Sequence, residues 1–435
     1  MYNNHKIMKM VMPIMMMMLT NSPNQNLFSL SILITLFNVN LQKLEITKLS
    51  YMMMGDELSF WTTNLALWLT FILMMMKTNY KTYYTKMLFS TLMTFILTFY
   101  TWNFMMFYFM FEMSMILILL IIMMWGYQPE RVEAVMFMIV MTVVVSLPFL
   151  ASMMNNLNSL NFWMMQETSI TIWDYVSFMI IFMMKMPTVF LHMWLPKIHV
   201  ESPIQGSMVL ASVMLKLGSY GMIRTTGFTM LLNMKYAFLI LAFTMWTIIL
   251  MSAVCLTQTD LKTLIAYSSI VHMTTVFSTI ILNKSKGMLG TVAIILGHGM
   301  CSSGLFYLAN FMYKITKSRS VIINKGAMIL SPTFCIMWFS LCMSNTPMPP
   351  SINLLGEFMA FKTATNWSWI IMLMVIPIIF ISSFYSIYLF YLPTHSIYTK
   401  STMKINILTS KSLNIVMLHI MPMILLMTKP QMIMI

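Results

Sequence analysis

The sequence predicts an all-α integral membrane protein of about fourteen transmembrane helices, built as two inverted five-helix repeats with helices seven and twelve broken. Three observations carry this expectation. Only 8% of the residues are charged, against about a quarter in a soluble domain, while 59% are hydrophobic and the mean hydropathy is +0.81. Apolar runs near the ~20 residues that cross hydrocarbon recur from end to end. Prolines interrupt two of these runs, five spans apart. Breaks at matching places in two halves mark an inverted-repeat transport fold and its site.

In chain order, the spans are expected at Ile7–Leu19, Leu27–Phe37, Leu58–Met76, Thr85–Thr101, Asn103–Trp125, Ala134–Met153, Ile172–Leu195 and Ile204–Thr226. They continue at Tyr236–Thr257, Asp260–Leu282, Met288–Tyr313, Ala327–Phe361, Trp367–Leu392 and Leu413–Thr428. The first has a basic flank but no small-residue cleavage site, so it reads as a retained span. Pro187 breaks the seventh, and Pro347, Pro349 and Pro350 break the twelfth, because proline removes a helical hydrogen bond and clashes with the preceding turn. A polar turn from Pro196 to Pro203 separates spans seven and eight. The organisation that follows is 1–84 (three leading helices), 85–227 (first repeat), 235–392 (second repeat) and 393–435 (last helix).

The net charge of +14 rests on 25 basic and 11 acidic residues. They stand singly in turns and form no basic patch, so no nucleic-acid partner is expected; they anchor helix ends at phospholipid headgroups. The four cysteines lie inside apolar runs without metal-ligand or disulfide spacing. The 60 methionines cluster in runs without any ligand spacing. They read as pliable apolar filler, not copper ligands, and no metal site is expected.

The chemistry lies in the ionisable residues within the spans. A helix rises ~1.5 Å per residue, so depth can be counted: Lys185 is ~16 Å past Asp174 and Lys216 ~18 Å past Ile204. Glu112 is ~13 Å past Asn103, His272 ~18 Å past Asp260 and His298 ~16 Å past Gly287. In a hydrocarbon core ~30 Å thick, all five sit near the middle. Glu357, seven residues after Pro350, falls beside the second break. Intramembrane ionisable groups are costly and mark ion or proton paths. Tyr220, Ser268 and Ser302 each sit four residues from one of these groups, on the same helix face, where their hydroxyls can link them. Glu130, Arg131, Glu133, Lys197, Glu201, Asp260 and Lys262, with His192 and His199, fall near span ends and are expected at the interface. A lysine ammonium releases its proton near neutral pH only if its surroundings supply about 4.6 kcal/mol. One carboxylate at ~4 Å and an effective dielectric of ~20 contributes about 4 kcal/mol. Approach or withdrawal of Glu112 is therefore large enough to switch Lys185.

Five strings carry a specific resemblance: WGYQPERVEA (Trp125–Ala134), KMPTVFLHMWLPKIHVESPIQGSMVLASVMLKLGSYGM (Lys185–Met222), QTDLKTLIAYSSIVHM (Gln258–Met273), HGMCSSGLFYLAN (His298–Asn310) and PPSINLLGEF (Pro349–Phe358). From Glu112 to Phe358 the chain resembles the chain 4 family of antiporter-like membrane subunits of NADH:ubiquinone oxidoreductase, respiratory complex I. The ends match only as hydrophobic spans. The resemblance implies proton pumping by a multi-pass subunit of the mitochondrial inner membrane, working beside other membrane-arm subunits, including sister antiporter-like ones. It also implies that this chain binds no cofactor and catalyses no redox step itself. NADH, FMN, iron–sulfur clusters and ubiquinone would belong to other subunits.

The family's proton-handling residues carry over to Glu112, the broken-helix Lys185, the central Lys216, the linking His272 and His298, and the terminal Glu357. Sister subunits place a lysine at that last position, so Glu357 points to chain 4. Two departures stand out: Ser219 replaces a family glycine beside Lys216, and Thr274 replaces one after His272-Met273. Two other readings fit the residues: a stand-alone cation/proton antiporter, and a membrane scaffold without transport.

Overall fold

The computed structural model describes residues 13–15, 17, 23–39, 47–50, 53–76, 82–155, 171–395 and 409–430. The first expected span, Ile7–Leu19, lies largely outside them. Apolar, mostly helical segments fill the described chain: α1 (Pro23–Val39), a short antiparallel hairpin of β1 (Thr47–Ser50) and β2 (Met53–Gly55), then α2 (Glu57–Met75), α3 (Tyr83–Tyr100), α4 (Phe104–Trp125) and α5 (Arg131–Asn155). There follow α6 (Ile172–Lys185), α7 (Trp194–Glu201), α8 (Ile204–Val209), a π-helical turn (Leu210–Met214) and α9 (Leu215–Thr257). The chain continues through α10 (Leu261–Leu282), α11 (Ser285–Thr316), α12 (Ala327–Leu330), α13 (Pro332–Asn345), α14 (Ile352–Thr365), α15 (Ile370–His395) and α16 (Ser410–Thr428). Each expected span from the second onward falls on one or more of these elements, and eight described helical runs are individually long and apolar enough to cross a membrane.

Capping residues set several starts. The Asp56 side chain accepts from the Ser59 amide while Ser59 answers to the Asp56 amide, and Thr171 and Asp174 form the same reciprocal box on α6. Burial alone would raise the Asp56 carboxyl, but the Arg224 guanidinium, bonded to both its oxygens at 2.6 and 2.5 Å, holds it below the ordinary range.

One connection differs from expectation. The turn expected at 227–235 falls within the helical segment α9. Yet Lys262 Nζ lies 3.4 Å from the Val200 carbonyl and 3.3 Å from that of Ser202. A straight helix over the 54 residues from Ile204 to Thr257 would hold its ends ~81 Å apart. The segment therefore doubles back, and it makes the two passes that were expected.

A second difference is a correction. The expected polar turn Pro196–Pro203 is mostly the helix α7, packed against α5 and α10. Its Pro196 sits in the first turn, where a missing amide costs nothing.

Both broken helices are stitched in the same manner. After the break at Pro187, the Trp194 indole donates to the Met184 carbonyl at 3.1 Å. After the breaks at Pro347, Pro349 and Pro350, the Asn353 amide donates to the Ser344 carbonyl at 2.9 Å. In each case the second half satisfies a carbonyl orphaned at the end of the first, as a helix end inside hydrocarbon requires.

Candidate functional site

The six ionisable residues fall into two groups, not one unbroken line. Lys185, at the last turn of α6, turns its ammonium toward α4, where Nζ lies 3.8 Å from Glu112 Oε1 and 4.3 Å from the centre of the Phe111 ring. That separation makes an ion pair but is too long for a hydrogen bond. Lys185 is buried, whereas the Glu112 side chain keeps 24% of its surface exposed.

Lys216 points elsewhere. Its Nζ donates to the Ala211 carbonyl at 2.6 Å and lies 2.8 Å from His298 Nδ1. The π-helical turn just before it makes this possible, because an i→i+5 turn widens the helix and presents a carbonyl that an α-helix would close. An ammonium only donates, so when Lys216 is charged, His298 Nδ1 must be its bare, accepting nitrogen. When Lys216 is neutral, the proton can sit on Nδ1. The pair thus shares one transferable proton.

From His298 the line continues to His272, whose ring centre is 5.4 Å away at a 44° tilt. His272 Nδ1 lies 2.9 Å from Glu357 Oε1, and its Nε2 lies 3.5 Å from the Tyr385 hydroxyl. All four of Lys216, His298, His272 and Glu357 are buried. The inter-ring step is the widest, and a single bridging water spans such a gap.

The two groups are adjacent but diverge. A Cβ on Gly218 would stand 2.9 Å from Lys185 Cβ, so only glycine lets α9 lie directly on the broken helix. Ser219 is absorbed beside it by donating to the Lys216 carbonyl at 3.0 Å, and Thr274 donates to the Ile270 carbonyl at 3.0 Å. Both residues are fully buried.

The supporting hydroxyls require a correction. Ser268 donates to the Ile265 carbonyl at 2.8 Å, Ser302 to the His298 carbonyl at 2.7 Å, and Tyr220 to the Phe99 carbonyl at 2.6 Å. In an apolar span a hydroxyl takes the nearest backbone acceptor, so none of the three hands its proton to an ionisable neighbour. Tyr220 instead lies under the Arg224 guanidinium, 4.8 Å from its ring centre. Four of the residues expected near span ends, His192, His199, Glu201 and Lys262, are buried within the protein.

Residues beyond the expected set complete the site. Tyr385 meets His272 on the side away from Glu357, and Arg224 pairs with Asp56. Arg224 follows Lys216 by eight residues on the same helix face, a spacing visible in the sequence; Asp56 had no such signal. Among the described residues no cluster of His, Cys, Asp or Glu is placed to hold a metal ion.

Close helix contact fixes the Glu357 end. A Cβ on Gly297 of α11 would overlap the Asn353 amide oxygen and stand 2.6 Å from Ile352 Cγ2. Gly297→Ala is expected to cost about 1–3 kcal/mol, the usual toll of overpacking, and to lower the thermal midpoint of the purified protein. An unchanged midpoint would show that this contact yields easily.

Comparison with known proteins bears on what this arrangement is. A family model described as NADH:quinone oxidoreductase/Mrp antiporter, TM, matches residues 101–386. NADH-ubiquinone oxidoreductase chain 4 of Ceratitis capitata is 39% identical over 357 residues, 80% of each chain. The protein of the same name from Scyliorhinus canicula is 37% identical over 366 residues, 80% of this chain and 78% of its own. Among solved structures, a chain of respiratory complex I from Thermus thermophilus with bound NADH superposes with a TM-score of 0.87 at 17% identity, covering 98% of this chain and 97% of that one; it shares the fold. With two relatives above 30% identity over four fifths of its length, and the family model over most of its spans, this chain belongs to the NADH-ubiquinone oxidoreductase chain 4 family.

Proposed function

We propose that the chain is a proton-translocating membrane subunit of NADH:ubiquinone oxidoreductase in the mitochondrial inner membrane. NADH oxidation and ubiquinone reduction occur in other subunits, which hold the FMN, iron–sulfur clusters and quinone. This chain contributes a lateral proton path and is expected to sit among the other membrane-arm subunits, the sister antiporter-like ones included. The observation that carries the reading is the buried sequence Lys216, His298, His272 and Glu357, with end contacts of 2.8 and 2.9 Å. Each of these groups can both take and release a proton.

The proposed organisation is 85–227 and 235–392 as two repeats, between 1–84 and 393–435. It is supported by a correspondence of sites. In each repeat the second helix faces the broken fourth: Glu112 meets Lys185 in the first, and His272 meets Glu357 in the second. The acid and the base exchange places between the halves. One repeat therefore holds its cation on the broken helix, and the other its anion.

The test is Glu357→Gln in the assembled complex, with proton pumping and NADH oxidation measured in sealed vesicles. Glutamine keeps a hydrogen-bond acceptor for His272 but cannot carry the proton. Pumping is expected to fall at least about tenfold, within what a lost proton-transfer group costs. Wild-type pumping by an intact complex would rule the relay out and favour a scaffold.

A further inference from the structure

His199 lies on α7, one turn before the chain enters α8. It is fully buried, and neither ring nitrogen has a hydrogen-bond partner. Its ring stacks on Phe306 of α11, centroids 4.5 Å apart and nearly parallel, so the apolar face is well packed and only the nitrogens are unsatisfied. Leaving a buried polar atom unpaired costs about 1–3 kcal/mol. A residue needed only for stacking would be cheaper as phenylalanine.

The neighbours of His199 are charged on two sides. Toward one end of the bundle, Glu201 pairs with Arg319 at 3.6 Å, and its other carboxylate oxygen is buried without a partner. Lys262 lies against the carbonyls of Val200 and Ser202. The connections after α9 and α11 close over this cluster, with Asp260 bridging Ser320. Toward the bundle centre stands Lys216. Its ammonium bends back to Ala211, which is only seven residues, or ~10 Å, from the start of α8. Along α11, the Phe306 that carries the His199 ring lies eight residues from His298, the partner of Lys216.

We propose that His199 carries protons between the Glu201–Lys262–Arg319 cluster at one membrane face and Lys216 at the centre, so that the lateral line is filled or emptied through α7. The step balances within the ring. A proton arriving from the cluster binds one nitrogen, the opposite nitrogen releases its own through bridging water to neutral Lys216, and the ring then returns to its starting tautomer. This rests on the relay reading of Lys216, and its test separates the two.

His199→Phe keeps the stack on Phe306 and removes both nitrogens. In the intact complex, native gels report assembly while vesicles report NADH-driven pumping. An assembled variant should lose about tenfold or more of its pumping rate, as expected for a missing proton-transfer group. The deficit should deepen as the pH rises from about 6.5 to 8.5 and protons become scarce, whereas a packing defect would give a loss independent of pH. Wild-type pumping by His199→Phe, with Glu357→Gln still inactive, overturns this inference and leaves the lateral relay standing. Wild-type pumping by both overturns both. If His199→Phe fails to assemble, Glu201→Gln reports the same route from its outer end, and a normal rate and pH profile there also sink the proposal.

Discussion

Lys216→Met is expected to stop proton pumping almost completely, by about a hundredfold or more, within the range that positioned proton-transfer groups contribute. Methionine has nearly the same length and fits the apolar walls, so the change removes chemistry with little volume. It does leave His298 Nδ1 and the Ala211 carbonyl without the ammonium that each now contacts. That loss is worth about 1–3 kcal/mol, enough to lower the yield of assembled complex without preventing assembly. The decisive companion is Lys216→Arg. Arginine keeps the positive charge and the donors but does not deprotonate in a protein. If Lys216 serves only to hold His298 in place, the arginine variant pumps. If Lys216 must load and unload a proton, both variants fail alike. Pumping per assembled complex in sealed vesicles separates these outcomes.

The fold was largely legible because its signals are one-dimensional. Runs of apolar residues counted against bilayer thickness place the spans, and the prolines at 187, 347, 349 and 350 place the breaks. Depth is one-dimensional too, which is why Lys216, His298, His272 and Glu357 were expected at one level and prove to be neighbours. Azimuth is not. Counting from a span end says nothing of which way a side chain leaves its helix, so Lys185 and Lys216 were expected on one line. Their ammonium groups point to different partners, with the Gly218 contact between the helices. The reversal within α9 was legible as well, between the spans ending at Thr226 and beginning at Tyr236, although that stretch is itself helical.

Glu112→Gln should be the most destabilising of the single changes at the other pair. Lys185 is buried, with its Nζ held 3.8 Å from Glu112 and above the Phe111 ring. Removing the carboxylate leaves an ammonium in an apolar site, and stripping one partner from a buried pair costs about 3–5 kcal/mol. Lys185→Met is expected to cost less, since the Glu112 side chain is 24% exposed and that of Lys185 only 3%. The double variant, Glu112→Gln with Lys185→Met, removes both charges from an apolar setting and should recover most of the stability lost by Glu112→Gln alone, as paired replacement of buried charges often does. Pumping should follow a different order. If Lys185 gates the proton held at Lys216, the double variant assembles well and still pumps poorly. A double-mutant cycle on thermal stability, run beside pumping rates for the same four proteins, resolves this. Additive stabilities would mean that the two charges do not act on each other, and wild-type pumping by the double variant would confine the pair to a structural role.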